Sequence, residues 1–255
     1  MDTSESGATM TVHMERDGRV TIITLDRPER RNAIDHPTLL ELLDAQREIA
    51  SRAPNETRAV ILTGAAPAFS AGADLNGVEE GQFTTDLQAV LRGFGTLPVP
   101  VIAAIDGPAL GAGTQLVIAA DLRIATPSSQ LGIPAARLGI SIDHWTIRRL
   151  AQEFSPSVAR AMLVGTENYS AERLHTLGGI HRLGDLSDAK EWAQRLARFA
   201  PLTVVAHKLG LETLGSEPDE HAAFESARRT AWASADAEEG RTAFLEKRSA
   251  NFTAT

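Results

Sequence analysis

Small residues fill the segment from Ala68 to Leu75, which reads Ala-Phe-Ser-Ala-Gly-Ala-Asp-Leu. Residues with short side chains let a ligand approach the backbone closely, so the free amides of this loop could hold an anionic or carbonyl oxygen. The alternative interpretation is a tight turn in which Asp74 caps the helix that follows. Turns of small residues are common, and spacing alone does not separate the two interpretations.

A second segment, rich in glycine, runs from Asp106 to Leu116 and leads into the apolar residues 117–119. We expect it to join a strand to a helix. The first turn of a helix presents unpaired amides and a partial positive charge, which favour an oxyanion. No Gly-Lys-Ser/Thr sequence follows the glycines, so the segment is not a phosphate-binding P-loop.

A third segment, from Leu131 to Trp145, combines two turn signals with one acid, Asp143, and one aromatic residue. Asp143 could carry a proton in catalysis, or it could cap a helix predicted over residues 145–150. The adjacent His144 suggests a dyad with Asp143, but neighbouring side chains on a helix point apart.

Composition narrows the remaining chemistry. The chain has no cysteine, which excludes disulfides, thiol catalysis and thiolate metal sites. No group of His, Asp and Glu has metal-ligand spacing, so we expect no metal. A net charge of −8 over 255 residues disfavours a dedicated binder of nucleic acid or of anionic membranes. The arginine pairs at 30–31 and 148–149 could contact ligand phosphates or could be solvated.

Four short apolar runs predict the buried strands that would position these segments. The runs cover residues 20–25, 59–63, 101–105 and 122–125. A turn and a helical pattern follow each of them, and the first such helix is predicted over Thr38 to Ala50. This recurring order of strand, turn and helix indicates an α/β protein with covered sheets.

The two ends of the chain are predicted to differ from its middle. Residues 1–10 are small and polar, which predicts a disordered tail without a secretory signal, and hence a cytoplasmic protein. No apolar run approaches the roughly 18 residues that span a bilayer. The main domain is predicted over residues 11–200.

The predicted C-terminal region, residues 201–255, begins at Pro201 and is helical. Its helices are predicted over residues 202–214, 220–233 and 237–247. Charged residues on one side and apolar residues on the other would let these helices cap the domain or form a subunit interface.

Four elements of the chain, taken in order, resemble the crotonase superfamily of enoyl-CoA hydratases and isomerases. Arg27 to Ala33 is similar to the family's RP…NA element, and Phe69 to Leu75 is similar to its F-x-A-G-A-D loop. Gly107 to Gly113 is similar to its G-x-A-x-G-G-G turn, and Phe244 to Arg248 is similar to its F-x-E-K-R ending. The resemblance extends from about Val12 to Phe252.

This resemblance implies a fold, an assembly and a ligand. The fold would be an α/β spiral of ββα units with a C-terminal helical region for trimerisation, the homotrimers often pairing into hexamers. The ligand would be a coenzyme A thioester, with no other cofactor. The backbone amides of Ala71 and Ala112 would form the oxyanion hole that holds the thioester carbonyl.

The resemblance also assigns positions to the rest of the ligand. The CoA-binding positions would be Arg27, Ala71, Gly72, Ala73, Asp74, Leu75 and Phe252. Phe252 matches an aromatic residue that lines the CoA site of a neighbouring subunit. Ile133 and Trp145 would line the acyl pocket.

Two positions depart from the hydratases of the family. Hydration needs a water placed between two glutamates, one acting as base and the other as acid. This chain has Gln115 and Ala135 at those positions. Glutamine can orient a water but cannot exchange its proton near neutral pH, and alanine can do neither. Each lost group costs roughly 10²–10⁴ in rate, so we expect acyl-CoA binding without ordinary hydratase activity.

The chain most resembles a mycobacterial hydratase-like subgroup that lacks both glutamates, which implies binding of long-chain acyl-CoA in fatty-acid metabolism.

Two further hypotheses of function stay open beside acyl-CoA binding without hydratase activity. Asp143 lies where dienoyl-CoA isomerases carry a catalytic aspartate, so the first alternative is an active hydratase or enoyl/dienoyl-CoA isomerase that uses it. The second is a partner protein of a fatty-acid synthesis enzyme or of a β-oxidation assembly.

Overall fold

The strands of the protein are short and follow one another closely along the chain. The computed structural model describes residues 10–74, 81–214 and 222–255. Its strands are β1 (Val12–Asp17), β2 (Val20–Leu25), β3 (Ala59–Gly64), β4 (Val101–Ile105), β5 (Ala109–Leu110), β6 (Leu122–Ala125), β7 (Gln130–Gly132), β8 (Tyr169–Ser170) and β9 (Arg182–Leu183). The main sheet has the order β1-β2-β3-β4-β6-β9, and a smaller sheet has the order β5-β7-β8.

The four predicted strands are confirmed as β2, β3, β4 and β6, with β3 reaching one residue further, to Gly64. From β2 to β9 the main sheet is parallel, whereas β1 pairs with β2 in antiparallel orientation. No run of apolar residues predicts β1, because this edge strand buries Val12 alone and exposes most of its other residues.

The helices are listed here in chain order. They are α1 (His36–Arg52), α2 (Gln82–Thr96), α3 (Ala112–Ala119), α4 (His144–Phe154), α5 (Pro156–Leu163), α6 (Ala171–Thr176), α7 (Leu186–Leu196), α8 (Pro201–Glu212), α9 (Ala222–Ala233) and α10 (Ala235–Glu246). Two short 3-10 helices cover Pro28–Arg30 and Ala135–Leu138. Together the elements make the mixed α/β fold that was expected.

Helix boundaries differ from their predictions by a few residues. The first helix starts at His36 rather than Thr38, because the Asp35 carboxylate accepts the Thr38 amide at 2.9 Å and caps the helix earlier. The predicted helices after Pro201 correspond to α8, α9 and α10. The predicted start of the second of them, at 220, and most of the predicted N-terminal tail lie outside the described residues.

Apolar side chains cover both faces of the main sheet. Along a strand, successive residues point to opposite faces. Ile23 and Leu62 therefore belong to the larger core, which α1 to α5 help to build, while Ile22 and Ile61 belong to a smaller core covered by α7. Burial on both faces explains why the parallel strands read as continuous apolar runs.

The parallel arrangement brings three loops together at one edge. The carboxyl ends of β2, β3 and β4 point the same way, so the segments that follow them meet there. Isolated parallel bridges join Ile34 to Ala73 and Ser70 to Ala109, which places the small-residue loop between the other two. Among the described residues, no helix has the length and apolar character needed to cross a membrane.

Candidate functional site

The loop from Ala68 to Asp74 is held on both sides by backbone hydrogen bonds. On one side, the Ser70 amide donates to Pro108 O at 3.1 Å, and the Leu110 amide donates to Ser70 O at 2.9 Å. On the other side, the Asp74 amide donates to Ile34 O at 2.8 Å. The loop is therefore an extended segment with a fixed register, and each of its amides has a defined direction.

That register decides which amide of the loop is open. The Ala71 amide donates to Arg31 O at 2.9 Å, so the prediction that Ala71 supplies an oxyanion-hole donor is wrong. The Ile34 amide donates to Gly72 O, and the Asp74 amide donates to Ile34 O. This pairing turns the amide of the residue between Gly72 and Asp74 away from Ile34. This residue is Ala73, whose amide has no acceptor among the described residues.

Glycine permits the backbone of the loop to touch the start of α3. Gly72 has a φ of +103°, and a Cβ built there would lie 2.8 Å from Leu110 O and 3.5 Å from the Ala112 nitrogen. At Gly113, a Cβ would lie 2.6 Å from Ser70 O. These contacts require glycine at 72 and 113, whereas Ala112 fits with its methyl group buried.

The N-terminus of α3 leaves its first amide unpaired. Gly111 is the N-cap residue, has a φ of +53° and provides no side chain to cap the helix. The Ala112 amide has no acceptor in the part of the chain that the structure describes. Together with the positive end of the helix dipole, this amide can attract an oxygen that carries partial negative charge.

Thr114 braces this helix end, and the sequence offered no signal for it. Its side chain is fully buried, and its hydroxyl oxygen lies 2.6 Å from Ala109 O and 3.0 Å from Gly132 O. It also accepts the Gly132 amide at 3.0 Å. The hydroxyl therefore ties the first turn of α3 to β5 and β7.

The segment from Arg27 to Ala33 is a structural bracket for the loops. Arg27 pairs with Asp35 at 3.1 Å and with Asp74 at 3.4 Å, so two carboxylates balance its charge. Buried Asn32 donates to Ala65 O and Ala68 O, both at 2.7 Å. Contact between Arg27 and CoA stays a prediction, and the bracing role of Asn32 was not foreseen.

Asp143 caps α4, which confirms the helix-cap interpretation. One carboxylate oxygen accepts the Thr146 amide at 3.2 Å, and the other accepts the Thr146 hydroxyl at 2.6 Å. His144 is exposed and begins the helix, which extends beyond its predicted range to Phe154. Both carboxylate oxygens are thus engaged within the fold.

The arginine pair of α4 divides between surface and interior. Arg149 is buried and donates to Ile118 O at 2.9 Å, and it pairs with Glu153 at 3.2 Å and with Glu212 at 2.7 Å. The hypothesis that Arg149 meets a ligand phosphate is therefore wrong. Its guanidinium ties α4 to α3 and α8 instead.

A second buried arginine, Arg123, shares the Glu153 carboxylate with Arg149. The Arg123 guanidinium pairs with Glu153 and donates to Gly179 O at 2.8 Å. Burial lowers the pKa of Arg123, and the Glu153 carboxylate opposes that shift. In the described ranges, no group of three or more His, Asp or Glu side chains is placed to hold a metal ion.

A family model described as enoyl-CoA hydratase/isomerase matches residues 15–255. The chain belongs to this family. The "Probable enoyl-CoA hydratase echA6" of Mycobacterium tuberculosis is 39% identical over 235 residues, which cover 91% of this chain and 95% of that protein. The predicted family and the resemblance to mycobacterial hydratase-like proteins are confirmed.

Relatives outside the mycobacteria extend the likeness. The short-chain-enoyl-CoA hydratase of Clostridium acetobutylicum is 32% identical over 250 residues, covering 93% of this chain and 95% of that protein. The crystal structure of an enoyl-CoA hydratase/carnithine racemase from Magnetospirillum magneticum has a TM-score of 0.86 at 27% identity, covering 97% of each chain. The predicted crotonase-like α/β fold is therefore confirmed.

The two positions where hydratases of this family were expected to carry glutamate lie on separate elements. Gln115 is on α3, one turn after Ala112, and is 6% exposed. Its Oε1 atom is buried and has no hydrogen-bond partner among the residues that the structure describes. Ala135 begins a 3-10 helix and packs, half-buried, against the main core. Neither residue can ionise.

The predicted acyl-pocket residues both contact the main core of this hydratase/isomerase fold. Ile133 is 1% exposed and belongs to that core, and Trp145 packs against it half-buried. Phe252 lies near the C-terminus, and its backbone carbonyl accepts a hydrogen bond of 3.0 Å from the Arg58 guanidinium. Leu75, a predicted CoA-binding position, lies outside the described residues.

Proposed function

We propose that this chain binds an acyl-CoA through its thioester carbonyl and does not catalyse ordinary hydration of enoyl-CoA. The observation that carries the proposal is the contrast within α3. The Ala112 amide at its start is open, whereas Gln115, one turn later, cannot exchange a proton near neutral pH.

Two open amides support the binding half of the proposal. The amides of Ala73 and Ala112 lack acceptors in the described residues, and the loop passes so near the start of α3 that a Cβ on Gly72 would lie 3.5 Å from the Ala112 nitrogen. Amides held in place by surrounding structure stabilise a carbonyl oxygen that gains negative charge. Under this proposal Ala73 takes the role that had been expected of Ala71.

The side chains near the site support the catalytic half. Gln115 and Ala135 replace two groups that each contribute roughly 10²–10⁴ to a rate by acid-base catalysis. Asp143, the remaining acid, accepts two hydrogen bonds from Thr146. A carboxylate held as a helix cap is a poor substitute for a proton carrier, which weakens the alternative of an isomerase that uses Asp143.

The experiment is a calorimetric titration with acyl-CoAs of several chain lengths, run beside a hydration assay with crotonyl-CoA. We expect saturable binding of one or more acyl-CoAs and no turnover of crotonyl-CoA above the rate without protein. Hydration at a rate typical of a hydratase would contradict the proposal, and so would the absence of binding at every chain length.

We also propose that the C-terminal helices assemble a homotrimer or a dimer of trimers. Trp232, Phe244 and Leu245 are 69%, 83% and 79% exposed, and large apolar side chains exposed together mark an interaction surface. Light scattering after size-exclusion chromatography would show the mass of three or six chains. A monomer at micromolar concentration would contradict this assembly. A partner enzyme of fatty-acid synthesis stays a prediction.

A further inference from the structure

The direction of the open Ala73 amide depends on Gly72, the residue before it. The Gly72 carbonyl accepts the Ile34 amide at 2.8 Å. The peptide between Gly72 and Ala73 is trans, and in a trans peptide the carbonyl and the following amide point in opposite directions. The Ala73 amide therefore points away from Ile34 for as long as Gly72 keeps its conformation.

Glycine by itself does not fix that conformation. Gly72 has a φ of +103°, and a residue without a side chain moves through such regions more freely than any other. The amide of Gly72 is therefore the group through which it can be restrained, and this amide donates to the side-chain oxygen of Ser70 at 3.2 Å. The Ser70 hydroxyl holds one side of Gly72, while the Ile34 amide holds the other.

The Ser70 hydroxyl is itself fixed in place. Ser70 is fully buried, and its hydroxyl donates to Asn32 O at 2.7 Å. A hydroxyl has one hydrogen, so this bond commits the hydrogen to Asn32 and leaves the lone pairs for the Gly72 amide. Asn32 is also buried, and its side chain donates to Ala68 O at 2.7 Å. The oxygen that restrains Gly72 is thus anchored to the bracket of the loop.

Ser70 also lies against α3, the helix that carries the second open amide. A Cβ built on Gly113 would lie 3.0 Å from the Ser70 Cβ and 2.6 Å from Ser70 O. Within α3, the buried hydroxyl of Thr114 ties the first turn to β5 and β7. One buried hydroxyl therefore stands behind each open amide, and the packing of Ser70 on Gly113 sets how close Ala73 comes to Ala112.

We infer that Ser70 is a positioning residue of the thioester site, whose hydroxyl holds Gly72 so that the Ala73 and Ala112 amides meet on one carbonyl oxygen. This inference rests on the proposed function and adds the residue that sets the strength of both hydrogen bonds. Hydrogen bonds weaken steeply when they bend, so two well-aimed amides polarise a carbonyl more than two misaligned ones. In this role the Ser70 side chain acts through the loop backbone and does not contact the ligand.

Infrared spectroscopy of a bound thioester measures this polarisation. The probes are butyryl-CoA and dodecanoyl-CoA labelled with ¹³C at the thioester carbonyl, whose stretching frequency falls when its oxygen accepts hydrogen bonds. We expect that frequency to fall on binding to the unchanged protein. Ser70→Ala should lose most of the fall, and its affinity should drop about tenfold, the equivalent of one hydrogen bond. The same frequency in both proteins would overturn the inference while leaving the proposed function intact.

Ser129→Ala provides the matched control. Ser129 is fully buried like Ser70, and its hydroxyl oxygen lies 3.2 Å from Ile105 O and 2.8 Å from the Thr126 hydroxyl, outside the loop and α3. Each variant removes two buried hydrogen bonds, so both should lower the thermal midpoint. The carbonyl frequency should change in Ser70→Ala and not in Ser129→Ala. Equal changes in the two variants would assign the effect to a general loss of stability and overturn the inference.

Ser70→Cys keeps the interior filled, should alanine at this position prevent folding. A thiol is a weak donor and a weak acceptor, so the carbonyl frequency in this variant should lie between that of the unchanged protein and that of the unbound probe. A frequency equal to that of the unchanged protein would contradict the role of the hydroxyl.

A measurement without ligand tests the restraint on Gly72 directly. Hydrogen exchange of the Gly72 amide, followed by NMR, should be faster in Ser70→Ala than in the unchanged protein, because the amide loses its acceptor. An unchanged exchange rate would overturn the inference. Failure of the unchanged protein to bind any acyl-CoA would overturn the proposed function and the inference with it.

Discussion

The first turns of α3 and α4 differ in how their amides are used. At α3 the N-cap residue is Gly111, which has no side chain, and the Ala112 amide has no acceptor within residues 10–74, 81–214 and 222–255. At α4 the N-cap residue is Asp143, whose carboxylate accepts both the amide and the hydroxyl of Thr146. A helix end closed by its own side chain stabilises the fold, whereas an uncapped end can receive a ligand.

The largest effect is expected from Gly72→Ala, which should close the open helix end. The new methyl group would meet Leu110 O at 2.8 Å in a backbone conformation that disfavours a side chain. We expect a loss of about 2–4 kcal/mol in the free energy of unfolding, from strain plus the collision, together with loss of acyl-CoA binding. Urea titration measures the free energy of unfolding, and calorimetry measures acyl-CoA binding.

Gly178→Ala isolates the contribution of strain. Gly178 also has a positive φ, +85°, but a Cβ there meets nothing within 4 Å. We expect it to cost about 1 kcal/mol, from the backbone conformation alone, and to leave binding unchanged. Equal losses for the two variants would show that the contact between the loop and α3 is loose.

The next effect tests the open amide itself. Ala112→Pro removes the first amide hydrogen of α3 at the helix position where proline is best accepted. We expect affinity for acyl-CoA to fall by about tenfold to a hundredfold, the equivalent of one strong hydrogen bond. Calorimetric titration of Ala112→Pro and of the unchanged protein with the same acyl-CoA would measure this fall in affinity.

Ala235→Pro makes the same change at the first residue of α10, which Ser234 caps. Its acyl-CoA affinity should equal that of the unchanged protein. If Ala112→Pro also binds normally, the amide at the start of α3 is not the donor, and the contrast between the two helix ends fails.

A smaller effect is expected at the closed helix end. Asp143→Ala should lower the free energy of unfolding by about 1 kcal/mol through loss of the cap, while Asp143→Asn should be nearly neutral because asparagine caps equally well. Neither variant should change acyl-CoA affinity. Loss of turnover of a dienoyl or 3-enoyl thioester in Asp143→Asn would instead establish a catalytic carboxylate at α4.

The smallest effect is expected from mild acid, which should lower the free energy of unfolding but leave the amide at the start of α3 unchanged. Burial, together with the nearby Arg123 guanidinium, lowers the pKa of His181 from 6.5 to about 4. The unfolded chain therefore binds a proton first, and the free energy of unfolding falls as pH drops from about 6.5 to about 4. Backbone amides do not titrate in this range, so the Ala112 donor keeps its hydrogen.

Unfolding curves over that pH range would show the fall. The His181 ring accepts the Arg123 backbone amide through Nδ1 at 3.1 Å. Asparagine at position 181 can still accept that amide and has no proton to take up, so the unfolding curves of His181→Asn should depend less on pH. An identical pH profile for the variant and the unchanged protein would assign the acid sensitivity to other groups.

The parts of the fold that sequence patterns predicted are those with strong local signals. Strands buried on both faces appear as apolar runs, and β2, β4 and β6 match theirs residue for residue. The edge strand β1 and the strands of two or three residues have too little periodicity to detect. The bracing residues Asn32 and Thr114 also escaped, because their hydrogen-bond partners are distant in sequence.

The amino-acid sequence by itself determined the family and the absence of an ionisable group at Gln115 and Ala135, because these follow from residue types in order along the chain. Only the tertiary structure decided which groups remain free to act. Whether an amide is open depends on which carbonyl from another segment reaches it. The Arg31 carbonyl closes the amide of Ala71, and no carbonyl of the described residues closes that of Ala73.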